Sequence, residues 1–229
     1  MKRDRIRFLS ERYRLVGMTV SAKAAAAAAA VGARPPGRPR AFDRDAALDR
    51  AVIEFWRHGY EATSVAGLTA AMGIRPPSLY AAFGDKRALF SEAVRRYGAT
   101  WGAPAGRALA EEPDARAAIA RLLREMAADY TDPAHPPGCL VVSAATNCTA
   151  DAEDVKAELR DLREQSKNAI RDRITADIDA GRFPADTDPV ALATFFAAVI
   201  QGMSTQACDG VPREVLEAAV ETALLVLPR

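Results

Sequence analysis

The chain has 229 residues, of which 49% are hydrophobic, and its formal net charge is +1. This length and composition are sufficient for a buried core in one large or two modest domains. Uninterrupted apolar stretches fall short of the roughly 18 residues that span a bilayer, and three cysteines do not make a disulfide framework, so we expect a protein of the reducing cytoplasm with no membrane partner.

The small net charge conceals a strong charge polarity along the chain. Residues 1 to 40 carry ten Lys or Arg and two acidic residues, residues 41 to 97 carry eight and seven, and residues 98 to 229 carry thirteen and twenty-one. A basic arm, a near-neutral module and an acidic body therefore follow one another. We expect a polyanionic partner at the N-terminal end and not at the C-terminal end.

Residues 1 to 41 are predicted to form a basic, flexible arm that is rich in alanine and proline. Alanine favours helix, but the stretch "TVSAKAAAAAAAVGARPPGRPR", residues 19 to 40, has no large apolar stripe that could pack on a core. Pro35, Pro36 and Pro39 end any helix there.

Order is predicted to begin at Phe42, with four short helices up to residue 97. Asp43, Ser64 and Asp85 are good N-caps for three of them, and Gly59 and Gly73 supply stops. Large apolar residues recur between these signals at helical spacing. The predicted core positions are Leu48, Ala51, Val52, Phe55, Trp56, Val65, Leu68, Met72, Leu79, Phe83, Leu89, Phe90, Val94 and Tyr97.

Two consecutive prolines in "MGIRPPSLYAAF", residues 72 to 83, begin the third helix abruptly. Only three residues, 73 to 75, separate it from the second helix, and a short break containing glycine is the geometry of a helix-turn-helix. We place Pro76 at the cap and Pro77 at the first helical position, where a missing N–H loses no partner. The helix from about 77 to 83 then presents its N-terminal end to a DNA groove.

The acidic body is predicted to be helical throughout, at about 114 to 130, 138 to 147, 150 to 180, 189 to 208 and 212 to 227. Acidic residues in first turns and Pro189 directly after Asp188 are typical of helix starts. Sustained alternation of apolar and polar residues is missing from the sequence, so the predicted fold class is all-α.

The stretch "GYEATSVAGLTAAMGIRPPSLYAAFGDKRALF", residues 59 to 90, resembles the DNA-binding domain of the TetR family of bacterial transcriptional repressors. The matching elements are Gly59-Tyr60, Ser64, Gly73-Ile74, Ser78-Leu79-Tyr80, Phe83, Lys86 and Leu89-Phe90. The resemblance implies an N-terminal three-helix helix-turn-helix DNA-binding domain, residues 42 to 97, followed by a larger helical ligand-binding and dimerisation domain, residues 98 to 229. Gly67, Thr69 and Arg75 depart from the residues that the family favours at their positions.

The same resemblance assigns the DNA contacts. Phosphate-facing positions are Ser64, Tyr80 and Lys86, and positions near base edges are Arg75, Pro77, Ser78 and Ala81. Because the third helix lacks the Gln, Asn or Arg that make bidentate base contacts, it offers mainly hydroxyls and apolar packing. We expect Arg34, Arg38 and Arg40 of the arm to add specificity in a minor groove, the alternative being a tail with only nonspecific attraction.

For the body, the resemblance implies a homodimer through the last two helices and a pocket for a small-molecule effector. Expected dimer residues are Leu192, Phe196, Val199, Met203, Leu216, Val220 and Leu224, with an ordinary core as the alternative. Expected pocket residues are Trp101, Met126, Tyr130, Cys139, Asn147 and Phe195, although aromatic residues and Met at helical spacing are usually plain core. Asn147 is the best candidate for orienting a ligand.

The expected function is a ligand-responsive transcriptional repressor that a small-molecule effector releases from a palindromic double-stranded DNA operator. We expect no cofactor, no metal and no enzymatic activity. His135 and Cys139 could be imagined as a base and a nucleophile, but the only support for this is their order in the sequence. Two alternatives remain open at this point. They are a thiol-based redox sensor at Cys139 or Cys148, and a helical interaction module without specific DNA binding.

Overall fold

The computed structural model describes residues 42–144 and 152–228. The expected positions Arg34, Arg38, Arg40, Asn147 and Cys148 lie outside these residues. Within the two described ranges the chain is helical and contains no strand, so the all-α expectation is confirmed. The helices are α1 (Arg44–Ala62), α2 (Val65–Met72), α3 (Pro76–Phe83), α4 (Lys86–Ala99), α5 (Ala103–Glu111), α6 (Ala115–Tyr130), α7 (Leu140–Ser143), α8 (Glu153–Asp179), α9 (Pro189–Cys208) and α10 (Arg213–Leu224).

The predicted caps bound the helices of the N-terminal part, which we call the head (α1 to α4). The carboxylate of Asp43 accepts hydrogen bonds from the first turn of α1, the hydroxyl of Ser64 caps α2 and the carboxylate of Asp85 caps α4. Gly59 breaks α1 as predicted, because its φ of 74° and ψ of 176° are not helical. A short helical segment to Ala62 follows this kink and is counted as part of α1.

The core of the head is a cluster of large aromatic and aliphatic side chains. Phe55 of α1 meets Phe90 of α4 edge to face, with ring centroids 5.0 Å apart, and Tyr60 packs on the same Phe90 ring at 5.1 Å. Residues from beyond α4 complete this cluster, because Leu140 of α7 and Val155 of α8 are buried in it. The core therefore crosses the boundary that we predicted at residue 97.

The rest of the chain, which we call the body (α5 to α10), has its own hydrophobic core. Side chains from α5, α6, α8, α9 and α10 meet in it, and its largest fully buried members include Tyr130 and Phe196. Helix α5, "APAGRALAE", was not predicted, because it is only nine residues long and contains a proline and a glycine. Helix α8 joins the two cores, since its N-terminal part packs in the head and its C-terminal part in the body.

Helix α9 is more apolar than a single core-facing helix requires. It has 20 residues and an 18-residue window of mean hydropathy 1.3, so by length and composition alone it could cross a membrane, contrary to our count of uninterrupted apolar runs. That is weak evidence, because core helices of globular proteins have the same property. Only 28% of the window is buried within the protomer, however, which leaves a largely uncovered helix surface to be explained.

Asp177 ties α8 to the start of α6 from a fully buried position. Its carboxylate accepts a hydrogen bond of 2.6 Å from the Ala115 N–H and pairs with the guanidinium of Arg182. Burial raises the pKa of this carboxyl, but the hydrogen bonds from Arg182 and Ala115 outweigh that effect and the pKa is lowered on balance. The charged form of Asp177 is therefore the form that stabilises the fold.

We expect Asp177→Ala to lower the free energy of unfolding at pH 7 by about 2 to 4 kcal/mol, because the Ala115 N–H and Arg182 lose their partner. Asp177→Asn, which keeps an acceptor oxygen, should cost less. Since the folded-state pKa is lowered, the contribution is present above the ordinary carboxyl pKa and is lost as the pH falls through the folded-state value. Denaturant unfolding should show a smaller difference in the free energy of unfolding between wild type and Asp177→Asn at about pH 3.5 than at pH 7. An equal difference at the two pH values would contradict this role.

Candidate nucleic-acid interface

Helices α2 and α3 form a helix-turn-helix whose turn is fixed by Gly73. This glycine adopts the left-handed conformation, with φ of 67°, and its N–H binds the Ala70 carbonyl oxygen at 3.2 Å. The next residue, Ile74, binds back to the Thr69 carbonyl oxygen at 3.0 Å, so the last carbonyls of α2 are satisfied as the chain reverses. The half-buried side chain of Ile74 packs against the core of the head.

The prolines start α3 one residue earlier than we predicted. Pro76 and Pro77 are the first two helical residues, and Arg75 is the N-cap, without a side-chain hydrogen bond to the helix. Because neither of the first two N–H groups has a partner within a helix, both positions accept proline. The restriction on the residue before a proline falls on Arg75, which is extended with φ of −91° and ψ of 153°.

Helix α3 has one face in the core and one in solvent. Leu79 is fully buried and Phe83 is 6% exposed, whereas Tyr80 on the other face is 53% exposed. Pro77 and Ala81 are also exposed, and Ser78 is half-buried beside them. The predicted base-facing residues Arg75, Pro77, Ser78 and Ala81 therefore share one accessible surface with Tyr80, which was predicted to face a phosphate. We call these five residues the α3 face.

The α3 face offers hydroxyl groups, small apolar groups and a single guanidinium. The exposed guanidinium of Arg75 makes no hydrogen bond or ion pair within the described part of the chain, so it is available to a partner. Such a surface suits thymine methyl groups and a limited number of hydrogen bonds in a major groove. It provides no cluster of acidic, histidine or cysteine ligands.

Two of the three predicted phosphate-facing residues, Ser64 and Lys86, lie at the starts of α2 and α4, and the third, Tyr80, lies in α3. The Ser64 hydroxyl accepts a hydrogen bond of 3.0 Å from the Gly67 N–H, and first-turn N–H groups beside it favour an anion. Lys86 lies folded against the head, with its Nζ 4.3 Å from the Tyr60 ring centroid and 3.4 Å from the Glu61 carbonyl oxygen. Burial lowers the pKa of Lys86, and Glu61 opposes this shift.

Arg44 fixes the position of α3, and periodicity did not reveal it. Its guanidinium donates to both carboxylate oxygens of Glu92 in α4, at 2.6 and 2.7 Å, and to the Ala82 carbonyl oxygen of α3 at 3.2 Å. The same group lies over the Phe83 ring, 4.3 Å from its centroid. The hydrogen bond to Glu92 raises the pKa of Arg44. One side chain therefore joins α1, α3 and α4.

A second missed residue, Arg87 of α4, connects the head to α8. It pairs with Asp154 and donates a hydrogen bond of 2.7 Å to Glu158, whose carboxylate also accepts 2.8 Å from the Ser91 hydroxyl. Burial lowers the pKa of Arg87, but the hydrogen bonds that its guanidinium donates to these two carboxylates outweigh burial, and the pKa is raised on balance. The partners lie about 70 residues away in sequence, so no local pattern could have indicated them.

The structure separates the residues that we expected in an effector pocket. Tyr130 and Cys139 come together at the junction of head and body, whereas Met126 packs on the body core. Trp101 packs on Trp56 of the head, with centroids 6.0 Å apart. It also lines a groove of about 300 Å³ together with Asp49, Arg50, Ile53, Glu54 and Ala71. Phe195 is 39% exposed and faces outward.

The hydroxyl of Tyr130 is one of the buried polar groups of the body that lack a hydrogen-bond partner within residues 42–144 and 152–228. Burial, and then the neighbouring Cys139 thiol, raise the pKa of Tyr130 well above its ordinary value. The Tyr97 hydroxyl donates to the same thiol at 3.4 Å. An unsatisfied buried hydroxyl costs about 1 to 3 kcal/mol, which a water molecule or a ligand group can offset.

Most of the residues expected at a dimer interface are buried within the single protomer. Phe196, Leu216 and Val220 are fully buried, and Met203 and Leu224 are nearly so. Leu192 and Val199 are partly buried against the same core. The exposed surface of α9 and α10 therefore consists of other residues, among them Phe195, Val215 and Val226.

The head and its exposed α3 face define a helix-turn-helix transcriptional regulator, and comparison with known proteins agrees. The family model described as "Bacterial regulatory proteins, tetR family" matches residues 47–93, and "Tetracyclin repressor-like, C-terminal domain" matches residues 115–221. The chain belongs to the TetR family of bacterial regulatory proteins, so the resemblance seen in its sequence is confirmed.

Individual relatives are similar over nearly the whole of their length. The HTH-type transcriptional repressor ComR of Escherichia coli (strain K12) is 35% identical over 84% of this chain and 92% of its own. The repressor BdcR of the same organism is 33% identical over 77% of this chain and 85% of the BdcR chain. A cysteine-substituted TetR family regulator, CifR, in complex with 26-base-pair double-stranded operator DNA is 50% identical. The matched region covers 84% of this chain and 100% of the CifR chain, with a TM-score of 0.81.

We expect Gly73→Ala to lower the free energy of unfolding by about 1 to 2 kcal/mol, because only glycine occupies the left-handed region without cost. An added Cβ would meet the Arg50 side chain at an ordinary 3.5 Å, so the cost is conformational and not steric. The matched control is Gly67→Ala in the first turn of α2, where helix propensity predicts stabilisation by up to about 1 kcal/mol. Denaturant unfolding of both variants measures this, and changes of the same sign would refute the assignment.

Proposed function

We propose that this protein is a homodimeric transcriptional repressor whose two heads occupy successive major grooves of a pseudo-palindromic operator, and which a small-molecule effector releases. The observation that carries the proposal is the α3 face, which is exposed on a head braced by Arg44. The complex of the related CifR with operator DNA supports it. The same similarity favours a repressor over a helical interaction module.

The α3 face supplies the base contacts in this proposal. Tyr80 and Ser78 carry the hydroxyls, Ala81 and Pro77 pack on thymine methyl groups, and Arg75 is the only cation at the start of the helix. Ser64 and Lys86 hold the flanking phosphates at the starts of α2 and α4, where helix N-termini favour anions. Lys86 reaches a phosphate by leaving the Tyr60 ring, which is a short movement for a flexible side chain.

The basic arm contributes the remaining specificity in our proposal. Residues 1 to 40 carry a charge of +8, and Arg34, Arg38 and Arg40 are spaced by prolines that favour an extended chain. An arginine in a narrow minor groove reads its width and potential. This supplies sequence information that the α3 face, with a single guanidinium, lacks.

The exposed surface of α9 and α10 supports an isologous dimer. On α9, exposed or half-exposed positions at helical spacing are Ala191, Phe195, Ala198, Gly202 and Thr205. Among the described residues, a Cβ at Gly202 would meet no atom within 4 Å outside its own helix backbone, so the small size of this residue serves no contact with them. Small residues let another helix approach closely, and α10 offers Val215, Ala218 and Thr222 at matching spacing, followed by the exposed Val226 just beyond its end. We call these nine residues the α9–α10 face.

We place the polar end of the effector pocket at Tyr130 and Cys139. The unsatisfied Tyr130 hydroxyl gives a ligand group one hydrogen bond, and the site lies beside Tyr97 of the head. A ligand there acts on DNA affinity to the extent that it prefers one orientation of the head. The pairing of Arg87 with Glu158 passes a displacement of α8 to α4.

We expect Arg75→Ala to weaken operator binding by about ten- to a hundredfold while weakening binding to random DNA of equal length much less, because its guanidinium contacts a base edge. Lys86→Ala should weaken both to a similar extent and reduce the dependence of affinity on salt. Fluorescence anisotropy titrations at several salt concentrations measure these constants. In the same assay, deletion of residues 1 to 40 should weaken binding to operator DNA more than it weakens binding to random DNA.

The matched control for Arg75→Ala is Arg160→Ala, an exposed arginine of α8 that pairs only with its neighbour Asp161. It should leave both affinities unchanged. Operator and random DNA that bind equally well to the wild-type chain would count against a sequence-specific repressor.

We expect Ala198→Arg to convert the dimer to a monomer and to abolish operator binding, because a long charged side chain replaces a methyl group at the centre of the α9–α10 face. Ala110→Arg, the same change at an exposed position of α5, is the control and should remain dimeric. Light scattering after size-exclusion chromatography measures the mass of each. A monomeric wild type, or a dimeric Ala198→Arg, would rule out this interface.

A further inference from the structure

The loop between α6 and α7 places a histidine of the body against the DNA-binding head. The His135 side chain is 4% exposed, and its ring stacks on Trp56 of α1 with centroids 4.6 Å apart and 22° between the planes. Trp56 in turn meets Tyr97 of α4 edge to face at 4.8 Å. His135 therefore contacts the head through an aromatic stack that reaches both α1 and α4.

Both nitrogens of the His135 ring face oxygen acceptors. Nε2 lies 3.4 Å from Oδ1 of Asp129, and Nδ1 lies 3.0 Å from the Pro136 carbonyl oxygen. A neutral imidazole has one N–H and one lone pair, so either tautomer directs a lone pair at an oxygen. Only the imidazolium donates to both. The imidazolium is also attracted by the face of the Trp56 indole.

The carboxylate of Asp129 needs a positive charge beside it. Burial raises its pKa, and His135 opposes that rise. If the ring of His135 loses its proton, a half-buried carboxylate is left without its cation. The pair is therefore strongest where His135 is charged and Asp129 is ionised.

Other titratable groups near His135 do not account for a charge change near neutral pH. They are Tyr97 of α4, Tyr130 of α6, Asp132 and Cys139 of the same loop, and Cys208 of α9. Burial raises the pKa of both tyrosines well above the ordinary value and raises the pKa of the Cys208 thiol. From α1 the ring stacks on Trp56, which is uncharged. An imidazole is the side chain that ordinarily changes charge between pH 5 and 8.

We propose that His135 is a positioning residue that, as an imidazolium held between Trp56 and Asp129, fixes the head in the orientation that binds DNA. The consequence is an operator affinity that falls as the pH rises and the ring loses its proton. This inference rests on the proposed function, because it adds a control of the same DNA-binding head.

The test compares operator affinity at about pH 6 and about pH 8 at one salt concentration. We expect the full chain to bind about five- to tenfold more weakly at the higher pH. His135→Phe keeps a flat ring on Trp56 but removes both nitrogens, so its two affinities should be equal. The chain has two histidines, and His58, with its side chain 48% exposed, provides the matched control. His58→Phe should keep the wild-type ratio; a wild-type ratio in His135→Phe would overturn the proposal.

A measurement without DNA separates this inference from the proposed function. In a Trp101→Phe background Trp56 is the only tryptophan, and a protonated imidazole in contact quenches indole emission. The emission of the Trp101→Phe variant should rise between pH 6 and pH 8. The emission of the double variant Trp101→Phe, His135→Phe should be the same at both pH values. Equal emission of the Trp101→Phe variant at pH 6 and pH 8 would overturn the inference. Absence of operator binding at both pH values, with the emission change intact, overturns the proposed function and leaves the charged junction standing.

Asp129→Asn keeps the test decisive if His135→Phe does not fold. It removes the anion and retains the ring, so the dependence of affinity on pH should shrink toward a ratio of one. Thermal unfolding monitored by circular dichroism establishes that each variant is folded at both pH values. A full wild-type ratio in a folded Asp129→Asn would count against the ion pair as the origin of the effect.

Discussion

The structure depends on a hydrophobic core that the head does not close by itself. Leu140 of α7 and Val155 and Leu159 of α8 are fully buried among the aromatic side chains of α1 and α4. Removing such side chains from a core costs about 2 to 5 kcal/mol each, so the head cannot leave α8 without a large loss of stability. The pairing of Arg87 with Glu158 adds a directional contact at the same place. A change in the body that moves the start of α8 must therefore move the head.

Helix α8 is suited to that role because its two ends belong to different cores. Its 27 residues correspond to about 40 Å of helix. Ile170, Ile174 and Asp177 anchor one end in the body, while Val155 and Leu159 anchor the other in the head. Packed interfaces resist continuous deformation and tend to have discrete arrangements. Small displacements at the Tyr130 and Cys139 junction can thus select between head orientations, and the stack of His135 on Trp56 acts on the same equilibrium.

The helix boundaries could be predicted because they depend on local chemistry. The contacts between residues that are distant in sequence could not be predicted. Caps such as Asp43, Ser64 and Asp188 act on N–H groups two or three residues away, so the sequence alone locates them. The prolines were predicted to begin α3, but one residue too late, because two positions of a first turn tolerate proline equally. Arg44 pairs with Glu92, 48 residues away, and His135 of the loop between α6 and α7 stacks on Trp56 of the head. Periodicity contains no information about such pairs, and they are the contacts that orient the α3 face.

Helix α9 shows why the expected dimer residues and the observed core coincide. Neighbouring phenylalanines have opposite environments, since Phe196 is fully buried and Phe195 is 39% exposed. A helix with apolar residues all round gives no sequence criterion for deciding which face packs on its own chain. The same feature gives α9 the mean hydropathy of a membrane-spanning segment. In a homodimer both observations have one cause: one face of the helix packs on the core of the protomer, and the opposite face, built from small residues around Phe195 and Gly202, packs on the partner.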